Sequence, residues 1–311
     1  MEYVITRSVL SFTQTIPLTR EEYGRLREAK AGLVVALGIE EKFNIVRDNY
    51  AELEMELLRL GVEQMVFQEE DWGELVSEIY TINRRLLNLL SAARLYRDQI
   101  VRDISDVWGP GSSAVEQVRE AREREEQESL PFRFMEALRN SIQHHSLPVY
   151  QLSRPMERDE CKDGSIRIRH RADARIKWSH LAADKNFSAA LRRELEPHAE
   201  RDLIPLAPFV RGYVQSLGRI QKAVRAAISP KVAGWDALMQ RAVEQAGAAF
   251  QNTTGLVVGC HYNDEEDELK CEAPPEQEDL FLDLIKRRTR LESRARHADM
   301  MPGERDYVSN E

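Results

Sequence analysis

Several features are scarce in this chain, and each scarcity removes a class of function. Cysteine occurs only at Cys161, Cys260 and Cys271 in 311 residues. An odd number of cysteines, far apart or set in polar sequence, argues against a disulfide framework, so free thiols are expected. Cys260, His261 and Cys271 are zinc-ligand types, but no CxxC pair accompanies them and no structural zinc is expected. Long apolar runs are missing as well: the longest, Ala31 to Ile39, falls well short of the roughly 20 residues that span a bilayer. No membrane partner is expected. The opening residues, Met1 to Arg7, lack a basic stretch followed by an apolar one, which predicts no secretion and a cytoplasmic location.

Positive charge is also in deficit. The formal net charge is -9, from 44 Lys and Arg against 53 Asp and Glu. Phosphate-backbone affinity comes from clustered Lys and Arg, so a nucleic-acid binder that works by overall charge is excluded and any RNA contact has to be local. A P-loop, a GxGxxG turn, an HExxH helix and a nucleophile elbow are all absent, which leaves NTPase, dinucleotide, zincin and hydrolase functions without support. No cofactor is implied.

What is present suits a soluble globular chain. Hydrophobic residues make up 42% and charged residues 31%, with a mean hydropathy of -0.51, which fits neither a disordered nor a membrane protein. The length suggests two domains or one elaborated one.

Val4, Val9 and Phe12 among polar residues suggest a short extended segment, and Thr19 with Glu21 and Glu22 suggests a helix start, since acidic residues favour the positive end of the helix dipole. From about Glu40 to Val66, Phe43, Val46, Tyr50, Leu53, Leu57 and Leu60 alternate spacings of three and four, predicting one long amphipathic helix. A second runs from about Trp72 to Val107 and stops at Gly109-Pro110-Gly111. Glu116 to Glu128 reads as a solvated helix supported by i,i+4 charge pairs, and Leu130-Pro131 opens another that ends near His145, before Leu147-Pro148. Beyond Pro148, Val149 to Leu152, then Asp163-Gly164, then Ser165 to Arg169 predict a small β-hairpin. Helical spacing returns over residues 187–250, with Pro230 separating two helices. A second hairpin is expected between Gly255 and Cys271. We therefore expect a mainly α protein with β-structure confined to about 149–178 and 255–272. Its segments would be an N-terminal extension (1–39), a helical bundle (40–150), a mostly helical α+β region with small hairpins (151–291) and a polar, mobile tail (292–311).

The segment richest in chemistry is Phe132 to His145. At about 100° per residue, Phe134, Met135, Ala137, Leu138, Ile142 and His145 fall on one side of a helix, and Glu136, Arg139, Asn140, Gln143 and His144 on the other. Asn140 and His144 are one turn apart, so the amide can orient the imidazole. Arg139 lies about 140° round the helix from His144, too far for one helix to close both on a single phosphate. A two-fold partner would supply the missing half. Each residue also has a plainer account: Arg139 as an ion-pair partner of Glu136, Asn140 as a solvated helix residue, His144 as a cation at a helix C-terminus. His145 competes with His144 for the histidine role, although its place beside Phe134 and Leu138 suits packing.

The string Arg139-Asn140-x-x-x-His144 resembles the ribonuclease motif of the HEPN superfamily (higher eukaryotes and prokaryotes nucleotide-binding), an arginine, a polar residue and a histidine after four to six intervening positions. The form is similar to that of the type VI CRISPR effector nucleases. The resemblance covers residues 40–150, and the rest of the chain resembles no family. It implies a HEPN-like bundle and a homodimeric, metal-independent endoribonuclease with Arg139, Asn140 and His144, or alternatively His145, as catalytic residues. Histidine would move the proton of the RNA 2′-hydroxyl or of the leaving oxygen, and arginine would stabilise charge on the phosphate. The products implied are a 2′,3′-cyclic phosphate and a 5′-hydroxyl, with DNA resistant. A toxin or phage-defence setting follows by analogy, with an antitoxin or regulatory protein as partner.

For RNA binding, the candidate strip is Arg167, Arg169, His170, Arg171, Arg175 and Lys177, where alternation would put Arg167, Arg169 and Arg171 on one strand face. The same residues equally suit a solvated edge strand protected from aggregation. Arg84, Arg85, Arg94 and Arg97 read as ordinary helix surface. Two other functions stay open beside the ribonuclease: a non-catalytic interaction protein, and a HEPN-like sensor of a small phosphorylated ligand.

Overall fold

Capping chemistry and apolar spacing decide where the helices start and which face they bury. The computed structural model describes residues 2–9, 12–67, 72–142, 147–160, 166–252, 256–263, 268–271, 280–296 and 307–310. In chain order its elements are β1 (Glu2–Val9), β2 (Phe12–Leu18), α1 (Arg20–Phe67), α2 (Trp72–Trp108), α3 (Ser113–Glu128), α4 (Leu130–Ile142), β3 (Val149–Ser153), β4 (Met156–Glu160), β5 (Ile166–His170), β6 (Asp173–Lys177), α5 (Trp178–Ala183), α6 (Ala189–Leu195), β7 (Leu203–Pro205), α7 (Leu206–Phe250), β8 (Leu256–Asn263), β9 (Glu268–Cys271), α8 (Leu280–Arg296) and β10 (Tyr307–Asn310). The protein is mainly α with small antiparallel strand pairs. Among the described residues, no helix is long and apolar enough to cross a membrane.

Helix α1 opens with a reciprocal capping box. Thr19 Oγ1 accepts from the Glu22 backbone N–H at 3.2 Å, and Glu22 returns a carboxylate oxygen to the Thr19 N–H at 2.8 Å, which satisfies donors that the helix itself leaves unpaired. The Thr19 backbone N–H first, and then the Thr19 hydroxyl, which also donates to the carboxylate at 2.8 Å, hold the Glu22 carboxyl below its ordinary range. The helix then runs unbroken to Phe67, joining what the spacing treats as two segments.

Two compact units are built from discontinuous segments, whereas the sequence-based division takes the chain in consecutive pieces. One comprises 1–41, 100–117 and 224–296; the other comprises 42–99, 118–223 and 297–311. In the first, β1 and β8 are the inner strands of a sheet ordered β2-β1-β8-β9. Ile5 of β1 faces Ile16 on one side and Val258 on the other. Its helical core holds Leu26, Leu33, Leu37, Ile104, Val115, Trp235 and Met239. Trp108 and Trp235 pack with their rings tilted 59° and centroids 5.2 Å apart, and Gly32 is small because an added Cβ would overlap the Trp235 ring. Buried Glu40 accepts two hydrogen bonds from Arg225, at 2.7 and 2.6 Å.

The second unit carries the motif helix. Phe43, Val46, Leu53, Leu57 and Leu60 of α1 and Ile82, Leu86, Leu90, Ala93 and Tyr96 of α2 are buried, as the three-and-four spacing predicts. Phe132, Phe134, Phe209 and Tyr213 add an aromatic cluster in which Phe134 and Phe209 lie 4.6 Å apart. Asn83 ties α2 to the strands: its Oδ1 accepts from the Val149 N–H at 3.0 Å and its Nδ2 donates to the Val149 carbonyl at 3.3 Å. The strands make two three-stranded sheets, β3-β6-β7 and β10-β5-β4.

Antiparallel pairs form in both expected regions, β4 with β5 and β8 with β9, but β3 (Val149–Ser153) pairs with β6 and not with β5. Three expectations need correction. Strands also occur at 2–9, 12–18, 203–205 and 307–310, beyond the two regions anticipated. Pro230 lies inside α7 and separates nothing. The tail contributes β10, which pairs with β5 from Tyr307↔His170 to Asn310↔Arg167.

Candidate functional site

Helix α4 is short, and its faces are sharply divided. Ser129 caps it, its Oγ accepting from the Phe132 N–H at 3.3 Å. Phe132, Phe134, Met135, Ala137, Leu138 and Ser141 are buried, while Arg139 is half-buried and Asn140 exposed. Arg139 and Asn140 therefore stand together on the outer side of the last described turn, where Arg139 Nη1 donates to Asn140 Oδ1 at 3.1 Å. Their motif partner His144, the alternative His145 and the neighbouring Gln143 lie outside the described residues.

The third polar residue of that face behaves differently. Glu136 makes its ion pair with Arg97 of α2, and Tyr213 Oη of α7 donates to its Oε1 at 2.7 Å, while the Arg139 charge acts on it more weakly. The Arg97 and Glu136 side chains are only 9% and 14% exposed. Burial pushes the Glu136 carboxyl above its usual range against the opposing pull of the Arg97 charge and the Tyr213 hydrogen bond. Burial, then the Glu136 charge, lifts the Tyr213 phenol well above its own. A buried arginine–carboxylate–tyrosine set thus anchors α4 from beneath, one turn before Asn140. Arg97 corrects the sequence-based assignment to ordinary surface; Arg85 and Arg94, by contrast, make partly exposed pairs with Glu52 and Asp98. The available signal was position, since Arg97 follows Ala93 and Tyr96 on the apolar stripe of α2 and precedes Ile100.

The arginine strip is distributed over two sheets and largely matched by carboxylates. Arg169 meets Glu157 at 3.3 Å, and Arg171 pairs with the same carboxylate. Arg175, on the other sheet, meets Asp173 at 2.6 Å. Lys177 sits 5.0 Å over the Tyr150 ring, and His170 is buried. The backbone of Arg167 belongs to β5 opposite Asp159; its side chain is outside the described set. Register places Cys260 opposite Cys271 and His261 opposite Lys270 on β8 and β9. Among the described residues, no group of three or more His, Cys, Asp or Glu is disposed to hold a metal ion.

No protein-family model, no characterised protein and no solved structure matches the chain.

Proposed function

We propose that this protein is a metal-independent endoribonuclease of the HEPN type, acting in the cytoplasm as a homodimer whose two motif helices share one composite site. The observation that supports the proposal most is the presentation of Arg139 and Asn140 side by side on the outer face of α4, while the opposite face is buried and Glu136 is tied down by Arg97 and Tyr213. A rigidly seated helix with a polar outer edge suits catalysis that depends on positioning. His144 of the motif takes the 2′-hydroxyl proton, or returns one to the leaving 5′-oxygen, and Asn140 orients the imidazole. The 2′-oxygen attacks the adjacent phosphorus, the bond to the 5′-oxygen breaks, and Arg139 stabilises the charge that develops on the phosphate. A toxin or phage-defence role, with an antitoxin or regulatory partner, accompanies this proposal by analogy alone.

The test is incubation of end-labelled RNA with the purified protein in EDTA. Fragments ending in a 2′,3′-cyclic phosphate, with the 2′-O-methyl analogue and DNA both intact, are the expected result. Absence of cleavage, or cleavage that requires an added metal, refutes the proposal. A specific observation favours the non-catalytic alternative: large apolar side chains stand exposed at the end of α1 and the start of α2, Phe67 at 66%, Val76 at 65% and Tyr80 at 61%. Such exposure is typical of protein contacts, and an inactive protein that still self-associates through these residues would support that function instead.

A further inference from the structure

The motif helix also forms one wall of a cavity of about 530 Å³ within its own unit. Leu138 of α4, Pro148, Ile176 of β6 and Leu181 of α5 give it apolar sides, and Ser141, His180 and Lys185 supply polar groups. Pockets of roughly 300–1,000 Å³ with apolar walls and a few placed polar groups are typical of small organic ligands. Leu138 and Ser141 belong to the buried face of α4, and the cavity therefore lies across that helix from the outward Arg139 and Asn140. One feature narrows the class. His180 belongs to the cavity and also meets Tyr150 edge-on at 6.1 Å, while Lys177 lies over that ring. Tyr150 itself is 54% exposed.

We infer that this cavity takes one unstacked base of a single-stranded RNA, with Lys177, His180 and Lys185 meeting the phosphates on either side of it. The inference rests on the ribonuclease proposal for the identity of its ligand. Sequence-selective RNA recognition proceeds through splayed-out bases held in apolar or aromatic pockets, beside cations that follow the backbone. In a chain of net charge -9 those cations must be local. The arginines of the strip are a poorer source, because Arg169 and Arg171 share Glu157 and Arg175 is matched by Asp173.

The experiment is fluorescence anisotropy in EDTA with a short, labelled 2′-O-methyl oligoribonucleotide, which keeps every base but offers no nucleophile. Ala183 lines the cavity and is exposed, so Ala183→Trp obstructs it without removing core. Lys185→Glu reverses a charge at an exposed position. Both variants should raise Kd roughly tenfold or more, the loss expected for one base contact or its phosphate partner, with melting temperatures like the parent's. A duplex of the same sequence should bind more weakly than the single strand. Parental Kd in both variants, equal binding of duplex and single strand, or no binding by the parent overturns the inference; if Ala183→Trp does not fold, Lys185→Glu decides alone. Cleavage of unmodified RNA is measured separately. Lost binding in the variants with no cleavage by the parent leaves the cavity assignment standing without the ribonuclease. Cleavage with unaltered binding does the reverse.

Discussion

Replacing Arg97 by methionine removes the charge that compensates the buried Glu136 carboxylate while keeping most of the side-chain volume. With 9% and 14% side-chain exposure, the pair is desolvated, and breaking such a pair by deleting one partner costs about 3–5 kcal/mol because the other charge is stranded. The pH dependence follows from the raised Glu136 carboxyl. A carboxyl whose folded pKa lies above its unfolded one contributes stability that is complete below the unfolded value and is lost as pH rises through the folded value. Taking away Arg97 removes the largest opposing effect, moves the folded value further up and deepens that loss. Urea unfolding of Arg97→Met should therefore show a larger deficit at about pH 8 than at about pH 5, because protonation of Glu136 relieves the stranded charge as pH falls. Adding Glu136→Gln removes the stranded charge and keeps an acceptor for Tyr213, so the double variant should recover most of the loss and lose the pH dependence. Deficits that are equal at both pH values, or a double variant as unstable as the sum of the singles, would refute the buried-pair account.

Gly212→Ala should destabilise by about 1–3 kcal/mol in the same denaturation assay, because its Cβ would lie 2.6 Å from Pro131 Cγ; a neutral result means Pro131 yields freely. The protein should be a homodimer by light scattering, and a chain truncated after Arg296 should remain one, since the composite site requires the motif helices and not the tail. Loss of the dimer on truncation would move the contact to the C-terminal segment. Elemental analysis should find no tightly held zinc; one zinc per chain would make Cys260, His261 and Cys271 ligands.

Much of this architecture was legible where local chemistry speaks alone. The Thr19 cap, the stripes of α1 and α2 and the Leu130-Pro131 start each rest on spacing or capping chemistry that neighbours do not overrule, and the alternation of residues 166–169 marks a strand, β5. Pro230 was misleading because a single proline costs a helix about 3 kcal/mol, whereas Val224, Ile228, Val232, Trp235 and Met239 are buried around it and contribute roughly 1.5–3 kcal/mol each. The N-terminal hairpin lacks a turn dipeptide such as Asn-Gly, and β10 depends on a partner more than a hundred residues away, so neither carries a local signal. Within the site, the outward placement of Arg139 and Asn140 was readable from helical period. The diversion of Glu136 to Arg97 and Tyr213 was not, because only tertiary packing brings α2, α4 and α7 to one carboxylate.

The most direct measurement is the rate of RNA cleavage by Arg139→Ala and His144→Ala beside a thermal melt of each. Arg139 stands on the outer face of α4, where truncation usually changes stability by no more than about 0.5 kcal/mol, whereas losing a positioned proton carrier or a phosphate-stabilising cation costs roughly 100-fold or more in rate. His145→Ala should do the opposite, lowering stability more than rate. The account predicts that both motif variants melt like the parent and cleave at least 100-fold more slowly; parental melting together with parental rates would contradict it.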